Sequence, residues 1–228
     1  MKLKVQIIGS GIAGLASAIR LVQKGHEVNI FKQAGYPGGK ISQIRWEKYR
    51  WDAGPSLFTL PELIEDLFIL SGEEMKTSIR YDKLDIVTRY FYEDGKIINA
   101  YGDPQQFANE IESVTGEPSG RVKKHLGKCH LMFDLTRDIF IYNAFNFRET
   151  FLSGRFLKVM LQPMKLEPMI TMHKANEKSF NSEHVVQLFD RYATYNGSSP
   201  FKAPGTLNMI SHLEHNLGAY FPEKGMYS

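Results

Sequence analysis

The chain has 228 residues, a net charge of +3, 43% hydrophobic residues and one cysteine. This composition excludes a disordered or collagen-like chain, and Cys129 alone excludes a disulfide framework or a cysteine-based zinc cluster. A single thiol fits a reducing compartment, and so small a charge does not argue for nucleic acid. In chain order, Val5–Ile8 reads as a short buried strand. Gly9-Ser10-Gly11-Ile12-Ala13-Gly14 is a turn into a helix whose apolar face is Leu15, Ala18, Ile19 and Val22, and Gly25 ends that helix. Glu27–Phe31 is the second strand, so the chain opens as a βαβ unit with parallel neighbours. Met1-Lys2-Leu3-Lys4 and Ala16-Ser17-Ala18 imitate a signal peptide, but the glycines at fixed offsets have a better explanation as a binding turn.

Further on, Gly38-Gly39 lies in a loop, Trp51–Ser56 follows one more extended segment, and a short helix runs from Pro61 to about Leu70. Leu84, Ile86, Thr88, Tyr90 and Tyr92 alternate on one face, and Asp94-Gly95 turns the chain back through Lys96-Ile97-Ile98. This predicts a hairpin in a sheet separate from the opening strands. Asp103 caps a helix with Pro104 at its first position. From about Gly120 to Tyr195 the pattern is mostly helical, with breaks at Gly154, Pro163 and Pro168. Asn196-Gly197 is a turn, which also answers its glycosylation-like sequence. A last helix spans about Ala203–Asn216, and a strand lies near Ala219–Phe221. No stretch approaches the ~18 uncharged apolar residues of a spanning helix.

Gly9-x-Gly11-x-x-Gly14 between strand and helix is the dinucleotide fingerprint. Gly9 permits the tight turn, Gly11 lets a pyrophosphate approach the backbone, Gly14 lets helix and strand pack, and the helix N-terminus offers free N–H groups. Lys32 stands at the end of the second strand, where an acidic residue normally takes the ribose hydroxyls. Alone it would favour a 2′-phosphate and NADP. The second glycine pair, Gly38-Gly39, argues instead for FAD, whose ribityl chain and ring run past the pyrophosphate and need close backbone approach.

The combination of this fingerprint with Gly38-Gly39 and Asp52-Ala53-Gly54-Pro55 resembles the FAD-dependent amine-oxidase-like group, and within it the bacterial phytoene desaturases, or carotenoid desaturases. Arg191–Pro200, Ala203-Pro204, His212-Leu213-Glu214-His215 and Gly218–Pro222 are similar to theirs as well, so the resemblance spans nearly the whole chain. It departs at Lys32 and Lys40, which replace the family's usual glutamate and arginine. The resemblance implies an α/β fold: a Rossmann-like FAD-binding domain with a β-sheet substrate domain and a helical cap. Members of that family continue well beyond Tyr227, so the chain is expected to be an N-terminal portion, binding FAD weakly by itself. The expected divisions are 1–80 for the FAD-binding part, 81–120 for the hairpin and helix of the substrate domain, 121–195 for the cap, and 196–228 for a return toward the first two. The expected cofactor contacts are Gly9, Ser10, Gly11, Ile12, Ala13, Gly14, Lys32, Gly38, Gly39, Lys40, Asp52, Gly54, Pro55 and Ser56.

The implied activity is desaturation of phytoene or a related polyene by hydride transfer to flavin, with oxygen or a quinone as an unresolved reoxidant. Carotenoid isomerisation, other amine-oxidase-like flavin chemistry, and a silent nucleotide-binding fragment are the alternatives. No residue presents itself as a catalytic base. His212 and His215, three apart, could share a helical face, but a metal would lack a third ligand, so none is expected. Residues 121–180 carry eleven Lys or Arg against five acids, with five methionines and eight aromatics. Basic residues interleaved with Phe and Met on helices suit a membrane interface. Lys123, Lys124 and Lys128 would meet headgroups and Phe145 and Phe147 would insert, giving a peripheral protein on the cytoplasmic face of the cell membrane; a helical lid over the substrate is the rival reading.

Overall fold

This computed structural model describes residues 1–143, 146, 154, 156, 159 and 161–227, leaving aside the side chains of 140, 163 and 164. The chain divides into two units, residues 1–84 with 219–228, and residues 85–218.

In the first unit, β1 (Lys4–Ile8) pairs in parallel with β2 (Glu27–Phe31), with Ile7 opposite Ile30. The crossover is α1 (Ile12–Gln23), which buries Ala18 and stops at Lys24, with Gly25 at φ +83° making the reversal. The strand–helix–strand opening read from the glycine offsets is therefore present. Beyond it the extended segment is a hairpin, β3 (Ser42–Trp46) with β4 (Tyr49–Ala53), turned at Glu47, which adopts φ +53°. α2 (Glu62–Leu70) packs against α1, and α3 (Met75–Ser78) buries Met75. β5 (Tyr81–Lys83) pairs antiparallel with β8 (Tyr220–Pro222), so the end of the chain returns to this unit. Phe58 and Tyr220 also exchange backbone hydrogen bonds of 2.9 and 2.8 Å.

The second unit has the denser core. β6 (Ile86–Phe91) and β7 (Ile97–Tyr101) form the hairpin, closed at Asp94-Gly95 by the Tyr92 N–H donating to the Lys96 carbonyl at 3.0 Å. A bulge between Ile86 and Thr88 changes the phase of the alternation, which is why Val87 is buried while Tyr90 and Tyr92 still pack on the core. α4 (Pro104–Thr115) starts as expected, with Asp103 Oδ1 accepting from the Gln106 N–H at 2.8 Å, and ends at Gly116 in the left-handed region. Then come α5 (Ser119–Phe140), α6 (Pro163–Leu166), α7 (Met172–Ser179) and α8 (Glu183–Asp190).

The last helical run is not one regular helix. It passes from a 3₁₀ turn, Gly205–Met209, through Ile210–His212 to a π turn, Leu213–Leu217. Ile98, Phe107, Ile111, Val122, Leu126, Met172, Val185, Phe189 and Tyr192 belong to a single buried cluster. Segments 81–120 and 121–195, separate in the sequence reading, thus supply one core from residue 85 onward.

Candidate functional site

The first unit brings two glycine turns together. The Gly9 N–H donates to the Phe31 carbonyl at 2.7 Å, which ties the end of β1 to the end of β2. Gly9 sits at φ +103°, a conformation open to glycine. A Cβ on Gly14 would lie 2.1 Å from the Gly9 oxygen, so the first turn of α1 closes on the loop only because Gly14 has no side chain. Gly11 is different. Its backbone is extended, and a Cβ there would meet only Gly39 Cα, at 3.9 Å.

The second turn lies directly beside the first. The Gly38 N–H donates to the Ser10 carbonyl at 2.8 Å, and Gly11 and Gly38 form a parallel bridge. Gly38 (φ +106°) and Gly39 (φ +64°) are both left-handed, and a Cβ on Gly39 would lie 3.0 Å from Gly11 Cα. α1 has no acidic residue in its first turn and no side-chain cap, so its leading N–H groups, including those of Ile12 and Ala13, have neither an intrahelical nor a side-chain acceptor. Backbone donors and the positive end of a helix dipole at one point are an arrangement suited to an anion. Ser10 is buried; Ile12 and Ala13 are exposed.

The other expected residues divide. Gly54 (φ +119°) packs on the same loop, since a Cβ there would meet the Lys40 oxygen at 2.1 Å. Asp52, on β4, accepts from the Met226 N–H at 2.9 Å through Oδ2, while its Oδ1 is buried with no hydrogen-bond partner. Lys32 stands exposed one residue past β2, and Lys40, Pro55 and Ser56 are also exposed. These residues fit a dinucleotide with an extension beyond the pyrophosphate. Backbone approach is open at Gly11, the second turn lies beside it, and one buried carboxylate oxygen is left to accept from a hydroxyl or N–H.

The second unit holds a polar cluster whose connections the sequence did not disclose. Glu214, fully buried on the π turn, accepts from one Arg191 Nη2 at 2.9 and 2.8 Å, and from the Tyr195 hydroxyl. Arg191 Nε donates to the Tyr90 hydroxyl at 2.6 Å. The Tyr192 hydroxyl lies 3.0 Å from Glu214 Oε2 and 2.7 Å from His215 Nε2. His215 Nδ1 faces the Tyr101 carbonyl at 3.1 Å. That carbonyl can only accept, so the neutral ring carries its proton on Nδ1, and its bare Nε2 and Glu214 Oε2 are two acceptors for the single Tyr192 hydroxyl proton. Burial lowers the His215 pKa to about 4. Burial, reinforced by Glu214, holds Tyr192 well above the usual phenol range.

His212 and His215 do not share surroundings. His212 Nε2 lies 3.4 Å from His130 Nδ1, and its Nδ1 lies 2.6 Å from Asn216 Nδ2. Among the described residues no group of three His, Cys, Asp or Glu could hold a metal.

The expected docking region splits as well. Met132, Phe133, Met172 and Phe180 are buried core residues and cannot enter a membrane. Lys128 is paired with Glu167 at 2.6 Å, which removes it from the set of unpaired cations expected to meet headgroups. Lys123 and Lys124 are exposed, as are Tyr142, Leu161 and Met169. Phe145 and Phe147 lie outside the described residues. Among the described residues no helix is long and apolar enough to cross a membrane.

Comparison with known proteins agrees with this geometry. Residues 7–68 match the NAD(P)-binding Rossmann-like domain family. A 1-hydroxycarotenoid 3,4-desaturase from Flavobacterium sp. (strain P99-3) is 40% identical over 98% of this chain and 46% of its own length. A carotenoid 3,4-desaturase from Haloarcula japonica is 28% identical over 97% of this chain and 44% of its own. The chain thus spans about half the length of the curated relatives it matches. Among solved structures, a putrescine oxidase triple mutant aligns over 100% of this chain and 48% of its own, with a TM-score of 0.57 at 14% identity, a likeness of fold alone.

Proposed function

We propose that this chain, a homologue of the carotenoid desaturases over 98% of its length, carries the dinucleotide cradle of an FAD-dependent oxidoreductase of carotenoid biosynthesis that introduces a double bond into an acyclic polyene. The observation that carries the reading is the paired turn. At Gly11, the position nearest an incoming phosphate in the fingerprint, a Cβ would meet only Gly39 Cα, at 3.9 Å, and the Gly38–Gly39 turn is bonded to Ser10 beside it. A nicotinamide dinucleotide has no comparable use for that second turn.

In this role the α1 N-terminus and the backbone of residues 9–14 hold the pyrophosphate, Gly38 and Gly39 admit the ribityl segment, and Asp52 Oδ1 accepts from a hydroxyl. The chemistry such a cofactor supplies is two-electron oxidation, with a hydride and a proton leaving adjacent carbons as the double bond forms. The polyene has few polar handles, so the protein's contribution is placement and exclusion of water. The relatives favour a carotenoid that is carried to a 3,4-desaturated product over phytoene. An exposed basic surface on α5 with Lys123 and Lys124 suits a peripheral position on the membrane that dissolves such a substrate.

The test is expression of the full-length protein in cells accumulating either phytoene or an acyclic 1-hydroxycarotenoid, followed by pigment extraction and absorbance of the purified protein. The expected result is a yellow protein and a product with one more conjugated double bond from the hydroxycarotenoid. A colourless protein, or pigments unchanged in both strains, overturns the reading. Conversion of phytoene alone overturns the substrate assignment.

A further inference from the structure

We propose that Pro222–Tyr227 is part of the cofactor cradle, with the Tyr227 ring lying against the flavin ring system and an Arg50–Asp52 pair latching it there; the inference rests on the FAD reading above. β4 supplies both latch residues. Arg50 Nη1 donates to the Lys224 carbonyl, and Asp52 Oδ2 accepts from the Met226 N–H at 2.9 Å. The two side chains are themselves 3.6 Å apart. Two consecutive strand-face side chains thus grip the backbone on either side of Gly225.

Gly225 shows how closely the latch is fitted. It sits at φ +91°, and a Cβ there would lie 2.0 Å from Arg50 Nη2 and 2.7 Å from Asp52 Oδ2. The turn is closed by the Gly225 N–H donating to the Pro222 carbonyl at 2.8 Å, and anchored by the Glu223 N–H on the Arg80 carbonyl at 3.0 Å. Two residues later the Tyr227 ring arrives at the second glycine turn. A Cβ built on Gly38 would stand 3.2 Å from that ring, and Tyr36 meets it edge-on at 6.0 Å between centroids. The ring is half-buried, so part of it is open.

The position selects the half of the cofactor. The adenosine ribose belongs at the end of β2 and the pyrophosphate at Gly9–Gly14. An aromatic ring at Gly38, which is bonded to Ser10, stands on the other side of the pyrophosphate turn, where the flavin half continues. Asp52 Oδ1, buried and unpartnered beside the latch, leaves an acceptor for the same half.

The test uses the full-length protein, with FAD as the probe, and reads flavin emission, FAD affinity and the melting of the cofactor-free protein. A tyrosine in contact with the flavin ring quenches its fluorescence by electron donation, and a phenylalanine does not. Tyr227→Phe is expected to brighten the bound flavin several-fold with unchanged affinity. Tyr227→Leu is expected to brighten it and weaken binding about threefold to tenfold, the scale of one aromatic contact. Neither should change the melting of the cofactor-free protein. Gly225→Ala, which breaks the latch, should weaken FAD binding as Tyr227→Leu does. If the bound flavin in Tyr227→Phe is as dark as in the wild type, or if Tyr227→Leu loses stability while keeping affinity, Tyr227 is a structural residue and the inference fails. A wild-type protein that retains no FAD overturns the cofactor reading itself.

Discussion

Gly11 and Gly14 belong to one motif, yet the structure assigns them opposite costs. Gly11 has φ −74° and ψ 176°, which any residue adopts, and a Cβ there touches only Gly39 Cα at ordinary contact distance. Alanine is a poorer N-cap than glycine by about 0.5–1 kcal/mol. It also restricts the unfolded chain, which returns about 0.4–1 kcal/mol. Gly11→Ala should therefore leave the cofactor-free protein within about 1 kcal/mol of wild type. Its methyl group occupies the path of a phosphate to the backbone, and losing one charge-assisted contact of about 1.5–3 kcal/mol weakens FAD binding about tenfold to a hundredfold. Gly14→Ala places its Cβ 2.1 Å from a backbone oxygen, so α1 must move off β1. The strain of such overpacking is about 1–3 kcal/mol, before any ligand is added. Urea unfolding without FAD, paired with flavin titration, separates the two variants. The reasoning fails if Gly11→Ala unfolds as early as Gly14→Ala, or if it binds FAD as tightly as the wild type.

Glu214→Gln leaves the buried side of Arg191 without its carboxylate and should cost about 3 kcal/mol in thermal or urea unfolding; a loss no larger than that of Tyr195→Phe, about 1 kcal/mol, would mean the ion pair is not a keystone. His125 is buried between Phe180 and Phe189 with neither ring nitrogen bonded, and burial lowers its pKa to about 3. An unfolded histidine titrates near 6.5, so the stability held above that pH is lost as pH falls toward the folded value, at up to about 1.4 kcal/mol per pH unit. His125→Phe should take up to about 1.4 kcal/mol per pH unit off the slope of unfolding free energy between pH 6.5 and 4, leaving the share of His212 and His215, whose pKa burial lowers to about 4, without lowering stability at pH 8; an unchanged slope would show that His125 does not titrate on unfolding. Charge reversal at Lys123 and Lys124 should reduce co-sedimentation with anionic liposomes at low salt, each lysine contributing on the order of 1 kcal/mol, and a full-length protein that stays in the supernatant at every salt concentration would leave the lid reading in its place.

Much of the fold could be read because short-range chemistry decides it. The first crossover is announced by glycines at fixed offsets and an apolar face at helical spacing. The second hairpin is announced by Asp94-Gly95, and α4 by Asp103-Pro104. The β3–β4 hairpin reads in sequence as one extended segment because its turn contains no glycine or asparagine. Glu47 takes the left-handed conformation there instead. The bulge at Ile86/Thr88 leaves no compositional trace, so the alternation holds at Tyr90 and Tyr92 but gives no sign that Val87 is the buried residue at the start of β6. The last helix reads in sequence as a single element because nothing in its composition marks a change of helix type. The change to 3₁₀ and π geometry accompanies the placement of Asn208, Glu214 and His215 in the core.

The site was legible to the extent that it is made of backbone. Gly9, Gly14, Gly38 and Gly39 are each required by a close approach or a left-handed φ within a few residues, and sequence displays such requirements directly; Gly11 answers to no such protein constraint. Side-chain partnerships across the chain are not displayed. Asp52 could be named as a contact, but its bond to Met226 and the bond of Arg50 to Lys224 each close a separation of 174 residues. Arg191 and Glu214 could be quoted as parts of similar blocks, but only the fold of the second unit puts one guanidinium against that carboxylate. The inward or outward aim of the apolar residues in 121–180 is hidden for the same reason. Phe133 and Met132 have the composition of an inserting surface, and what sends them inward is the face of α5 on which they lie. Sequence alone therefore displays the backbone turns of the proposed cradle more directly than the side chains that hold its walls in place.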